Sequence, residues 1–162
     1  MNATEKFIPA DPRFDASRVI RAPRAAIWQA WTDPAKLEQW WVPAPAKCQV
    51  EALDLHPGGA FVTLYSEDGE RFGPHVDGCF LEVVAGERLV FTDTMHGGWR
   101  PADAPFMTAV ITLRDHPDGV EYAAHVMHRS QADRDNHEAM GFYDGWGTVI
   151  EQLAALVEQR EP

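Results

Sequence analysis

The longest periodic stretch of the chain is its last, residues 130–159, and it dictates what the rest must supply. Apolar side chains recur at Met140, Tyr143, Trp146, Val149, Ile150, Leu153, Leu156 and Val157, in steps of three and four that match a helix. Asp144, Thr148, Glu151, Gln152, Glu158 and Gln159 form the polar side. Ser130, with Asp133 three residues on, is a suitable helix start. About 28 residues at 1.5 Å each would reach roughly 42 Å. A single amphipathic rod of that length needs a broad apolar surface to lie on. Gly141, Gly145 and Gly147 interrupt it, each at a cost of about 1 kcal/mol relative to alanine. Clustered around Trp146, they predict close approach of the helix backbone to a sheet, or a late helix start. The missing side chains would also leave room for a ligand beside Trp146.

The upstream chain reads as the source of that surface. Residues 1–13 carry Pro9 and Pro12 without periodicity and read as an N-terminal arm, leaving 14–160 as a single domain. Phe14 to Arg21 is a first strand. Ala22-Pro23 opens a helix carrying Ile27, Trp28 and Trp31, and Asp33-Pro34 caps and opens a second one through Leu37 to Trp41. Strands follow over 48–55, 61–66, 74–84 and 88–94, separated by His56-Pro57-Gly58-Gly59, Asp68-Gly69 and Gly86. Residues 95–105, with Gly97, Gly98, Pro101 and Pro105, read as an irregular loop holding an isolated aromatic, Trp99. A last hairpin, 106–114 and 120–128, turns at Pro117-Asp118-Gly119. Helices gathered on one side of an antiparallel sheet give an α+β domain, with about six or seven strands, two short helices near the N-terminus and a long C-terminal helix.

Several function classes are disfavoured at once. A net charge of −11 lacks the basic footprint that nucleic acid or an anionic membrane requires. No apolar run approaches membrane-spanning length, and the first residues lack the pattern of a signal peptide, so a cytoplasmic protein without membrane insertion is expected. Cys48 and Cys79 make no disulfide framework and no zinc spacing, and are expected as buried free thiols. The seven histidines show no HExxH pattern, and His125 and His128 sit three apart on a strand, hence on opposite faces. Neither a metal site nor a cofactor is expected: no GxSxG occurs, and Gly97-Gly98 does not precede a helix.

Particular residues carry a resemblance. Arg21-Ala22-Pro23 before Ile27-Trp28-Gln29-Ala30-Trp31, and Thr32-Asp33-Pro34 through Leu37 to Trp40-Trp41, open the pattern. Gly58-Gly59-Ala60-Phe61, Asp68-Gly69, and Gly78 through Glu82-Val83 to Arg88-Leu89-Val90-Phe91-Thr92 continue it. Met140-Gly141-Phe142, Gly145-Trp146 and Leu153 complete it. In this order they resemble the helix-grip fold of the START-like, or Bet v 1-like, superfamily. The nearer likeness is to the domain family named after the activator of Hsp90 ATPase. Eukaryotic members of that family grip the chaperone through a separate N-terminal domain, for which this chain has no room, so an Hsp90 interaction is not expected. The wider superfamily spans lipid carriers, ligand receptors and polyketide cyclases.

That resemblance implies a pocket between the curved sheet and the long helix. Trp40, Trp41, Phe61, Thr63, Tyr65, Phe80, Thr92, Trp99, Met127, Met140, Tyr143 and Trp146 are the candidates to line it, a mix of aromatics with a few polar groups. The same side chains would serve equally as ordinary core. Three readings compete. The first is a non-enzymatic module for a small hydrophobic or aromatic molecule. The second is a cyclase-like or hydrolytic enzyme, for which His75 and Asp77, which share strand parity, would meet His125 in the cavity. The third is a protein-interaction or co-chaperone-like module, which needs a large exposed apolar patch. An exposed strand edge would permit a homodimer, although nothing in the sequence demands one.

Overall fold

The computed structural model describes residues 13–158, with the side chains of residues 13–15 and 142–144 outside the description. Seven antiparallel strands form one strongly curled sheet: β1 (Arg13–Ile20), β2 (Lys47–Leu53), β3 (Ala60–Ser66), β4 (Gly73–Val84), β5 (Arg88–Thr92), β8 (Met107–His116) and β9 (Gly119–His128). Their spatial order is β1-β9-β8-β5-β4-β3-β2. Only the β1–β9 and β5–β8 neighbours are not consecutive strands, so the sheet is a meander with its first strand returned to the far edge. Residues 95–105 are not wholly irregular: a two-stranded ribbon forms there from β6 (Met95–His96) and β7 (Arg100–Pro101).

Helix α1 (Arg24–Thr32) follows β1, with Pro23 at its N-cap position. Asp33 then caps the short α2 (Pro34–Leu37), its carboxylate accepting from the Ala35 amide. α1 and the turn that follows α2 deliver tryptophans to the sheet. Trp31, Trp40, Phe61, Phe80, Phe91 and Tyr122 are almost wholly buried there. The tryptophan and phenylalanine rings meet edge-on, tilted or stacked at 5.0–6.3 Å; Phe61 stacks on Phe80 at 5.0 Å and lies at 80° to Phe91 at 5.0 Å. The Trp31 indole donates to the Tyr122 hydroxyl at 2.9 Å, and the Trp40 indole to the Ala30 carbonyl at 2.9 Å.

The C-terminal segment is two helices rather than one rod. Ser130 caps α3 (Gln131–Ala139), its hydroxyl accepting from the Asp133 amide as expected. The chain then breaks at Met140-Gly141, where Gly141 takes φ +93°, and restarts as α4 (Phe142–Glu158). A left-handed residue ends a helix because the next amide can no longer reach the carbonyl four residues back. The Gly141 amide instead donates to the Glu138 carbonyl at 3.0 Å. The late helix start is therefore real. Close approach to a sheet is not: a Cβ on Gly141, Gly145 or Gly147 would meet nothing within 4 Å.

α4 lies against β1 and α1, burying Val149, Ile150, Leu153, Ala154 and Val157. Arg18 of β1 pairs with Glu151 at 2.8 Å and Glu158 at 3.3 Å. The amide of Gln152 donates to the carbonyls of Trp40 and Val42 at 3.0 and 2.8 Å and accepts from the Ala44 amide at 2.8 Å. One side chain of the long helix thus fixes the segment that carries Trp41.

Candidate ligand-binding site

The space beneath α4 is not filled. A cavity of about 370 Å³ opens where α4, the α3–α4 break and the end of the sheet converge. Trp41, Trp146, Val149, Phe106 and Met107 wall it, Pro43 and Val76 complete the apolar surface, and Met140 stands at the lip with 67% of its surface exposed. Trp41 and Trp146 meet edge-to-face at 6.3 Å. Gly141 and Gly145 form part of the wall, and a Cβ at either would meet nothing within 4 Å.

Three polar residues also line this half-open, largely apolar cavity: His75, Asp93 and His137. His75 arrives through a β-bulge. Thr63 pairs with Val76 and Leu64 with Pro74, so His75 is the extra residue of β4. Its Nδ1 shares a 2.9 Å hydrogen bond with Thr63 Oγ1, and burial holds its pKa below the ordinary histidine value. The Asp93 carboxylate accepts from the amides of Phe106 and Met107 at 2.8 and 2.9 Å, which pins the start of β8.

His137 is the one buried side chain of α3. Its Nδ1 lies 2.6 Å from His128 Nε2, and Phe106 packs on both rings at 4.8 and 5.5 Å. Burial first, and the neighbouring His128 second, push the His137 pKa down to about 4. A base whose pKa is depressed on folding contributes stability that is complete above its unfolded value, about 6.5, and is lost as pH falls toward the folded value. Melting temperature is therefore expected to fall between about pH 6.5 and pH 4, by the order of 2 kcal/mol of stability. His137→Phe should flatten that slope in pH-dependent thermal melts; an unchanged slope would show that other groups set it.

The structure distributes the sequence candidates unevenly. Trp41, Met140 and Trp146 line the cavity together with His75. Trp40, Phe61 and Phe80 form the solid core beneath it. Thr63 acts through His75, and Tyr65 sits 5.9 Å from the His75 ring. Thr92 is fully buried and bonded to Thr94 and Thr108. The side chain of Tyr143 lies outside the described residues.

Four candidates fall elsewhere. Along β9 the buried set is Tyr122, Ala124, Val126 and His128, so His125 and Met127 take the outer face by strand alternation. Asp77 also faces outward, because the bulge at His75 cancels the parity the two residues share in sequence. Its carboxylate meets His96 Nδ1 at 3.0 Å. The trio His75, Asp77 and His125 is thus not assembled. Trp99, with φ +65° and 49% exposed, lies over Gly58, where any Cβ would come within 2.5 Å of the indole. Asp54, His56, Asp77, His96 and Arg100 rim a second depression there, between the outer face of β3–β4 and the β6–β7 ribbon. This depression, of about 620 Å³, is more open than the cavity beneath α4 and carries more charged side chains on its rim.

Among the described residues no group of three histidine, cysteine, aspartate or glutamate side chains is placed to hold a metal ion. Cys48 and Cys79 are free and buried, and burial, with the Glu38 charge beside it, pushes the Cys48 thiol up to about 12. Neither is a nucleophile near neutral pH. No helix among the described residues is long and apolar enough to cross a membrane.

Residues 21–158 match the family model of activator of Hsp90 ATPase homolog 1-like proteins. The chain belongs to this family. Among solved structures, protein NE0264 of Nitrosomonas europaea is 39% identical over 91% of this chain and 94% of its own, with a TM-score of 0.82. Protein CV1439 of Chromobacterium violaceum is 28% identical over 90% and 97%, with a TM-score of 0.72. Protein Ms6760 of Mycobacterium smegmatis is 25% identical over 91% of each chain, with a TM-score of 0.74. No curated protein matches the chain. In this member of the Hsp90 activator-like family, Trp41 and Gly145-Trp146, from the two ends of the set that carries the resemblance, come together at the cavity.

Proposed function

We propose that the protein is a non-enzymatic carrier or receptor for a small, largely apolar molecule. The observation that carries this reading is the cavity beneath α4, of about 370 Å³, within the range of roughly 300–1,000 Å³ usual for small-ligand sites. A closely packed interior seldom retains voids larger than a water molecule. Here a cleft open on one side is kept clear at Gly141 and Gly145, and Gly145 carries the helix-propensity cost of up to about 1 kcal/mol. Its polar side chains favour binding over catalysis. His75 is held by Thr63, His137 by His128 and Asp93 by two backbone amides, so each has a hydrogen-bonding task in the fold. Cytoplasmic residence is part of the proposal, in keeping with two free thiols.

The test is native mass spectrometry of the purified protein, with chemical identification of any released molecule, alongside thermal melts with neutral bicyclic aromatics and fatty alcohols. Ligand at about 100 times its Kd adds about 2.7 kcal/mol. For a chain of this length that corresponds to a rise in Tm of roughly 5–10 °C. A protein that releases nothing and melts unchanged across the panel is not a carrier of this class.

A further inference from the structure

Trp41 Nε1 and Asp93 Oδ2 both lack a hydrogen-bonding partner, and they differ in reach. Trp41 Nε1 is buried, the single such unpartnered side-chain atom among the described residues. The packing that closes it to water closes it to a ligand as well. Asp93 is different. The amides of Phe106 and Met107 both donate to Oδ1 of its carboxylate, at 2.8 and 2.9 Å. Oδ2 takes no hydrogen bond and the carboxylate forms no ion pair among the described residues. Oδ2 is not sealed in the interior as the Trp41 nitrogen is, so it is reachable from solvent. Asp93, Phe106 and Met107 all line the cavity, and the pinned carboxylate belongs to its wall.

This carboxylate is the only formal charge in the described lining. No lysine or arginine contributes to it. His75 and His137 do, but burial holds both below the ordinary histidine pKa, His137 at about 4, so neither is cationic near neutral pH. The rest of the wall is largely apolar, with the rings of Trp41, Trp146 and Phe106. An anion brought here would meet a like charge and no counter-charge, which is strongly unfavourable. An alcohol donates to Oδ2 but leaves the charge uncompensated. A protonated amine supplies the donor and the counter-charge together, and aromatic walls favour a cation further. The net charge of −11 acts in the same direction, drawing cations toward the protein.

We infer that the ligand is an amine, cationic near neutral pH, on an apolar ring-sized body, and that its ammonium group donates to Asp93 Oδ2. This rests on the carrier reading and narrows its ligand class. The body lies against Trp146, Phe106 and Met107.

Three probes of similar shape separate the possibilities: 2-naphthylmethylamine, 2-naphthalenemethanol and 2-naphthoate, each titrated calorimetrically at neutral pH. The amine is expected to bind about tenfold more tightly than the alcohol, the difference between a charge-assisted and a neutral hydrogen bond, and naphthoate most weakly. Asp93→Asn keeps a side-chain oxygen for the two amides and removes the charge, so the amine-to-alcohol ratio should fall to about one. The same variant separates a local pair from the general pull of an acidic surface, which it barely alters. In case Asp93→Asn does not fold, the wild type gives its own readout: intermolecular NOEs should place the amine's methylene beside the Asp93 β protons. Equal affinities for amine and alcohol, an unchanged ratio in Asp93→Asn, or a methylene remote from Asp93 would overturn the inference while leaving the carrier reading intact. Tightest binding by naphthoate would overturn it too. Failure of all three probes to bind would overturn both readings.

Discussion

Gly145→Leu is expected to stabilise the protein and abolish ligand binding. The two effects have separate causes. Gly145 lies inside α4, and a leucine there regains nearly 1 kcal/mol of helix propensity. No atom lies within 4 Å of the Cβ position, so the new side chain enters without a backbone clash. The space it enters is the cavity, of which Gly145 forms part of the wall. An isobutyl group there removes the room a ligand needs and buries its own apolar surface instead. Tm should rise by a few degrees, while affinity for the released or added ligand falls by at least about thirtyfold, some 2 kcal/mol. Gly147→Ala is the control: it also meets nothing within 4 Å, does not line the cavity, and should stabilise without loss of binding. If Gly145→Leu binds as well as the wild type, the ligand does not sit beneath α4.

The sequence signals behind that site differ in strength for physical reasons. Strand alternation and helix periodicity are local, and they place nearly every element within a few residues, including the caps at Asp33 and Ser130. The break in the C-terminal helix is harder to read. Three glycines lie close together, and only Gly141 takes positive φ, a backbone choice that glycine permits but does not impose. The ribbon at 95–105 is two residues a side, too short for alternation to register. The bulge at His75 leaves no trace in composition, yet it turns His75 toward the cavity and leaves Asp77 outside. His128 and His137 lie on a strand and on the helix after it. A signal for them did exist: His128 shares parity with Val126 and Tyr122, and His137 falls where a polar helix must turn one side inward. The unpartnered Trp41 N–H was not legible at all, because it depends on what the surrounding side chains and backbone fail to offer it.

Trp31→Ala is expected to be the most damaging single substitution for folding, costing about 4–6 kcal/mol against a total stability of about 5–15 kcal/mol. Trp31 is 1% exposed and touches Trp40, Trp41, Phe61 and Phe91 at ring separations of 5.0–6.3 Å. Removing a buried indole forfeits about 3–5 kcal/mol through transfer and cavity formation. It also strands the Tyr122 hydroxyl, which is wholly buried and whose pKa burial pushes well above the ordinary phenol value. That second loss can be isolated. Tyr122→Phe leaves the indole N–H without its acceptor, and Trp31→Phe leaves the hydroxyl without its donor, each at about 1–3 kcal/mol beyond any packing change. In the double variant neither group is orphaned, so urea denaturation should give a combined loss smaller than the sum by about 1–2 kcal/mol. Strict additivity would mean that the 2.9 Å Trp31–Tyr122 bond contributes nothing to anchoring α1 on β9. The Trp41 ring rests on Trp31 at 5.0 Å, so the same loss should carry through to the cavity: any folded Trp31→Phe protein should bind ligand more weakly than Tyr122→Phe, which leaves that ring contact in place.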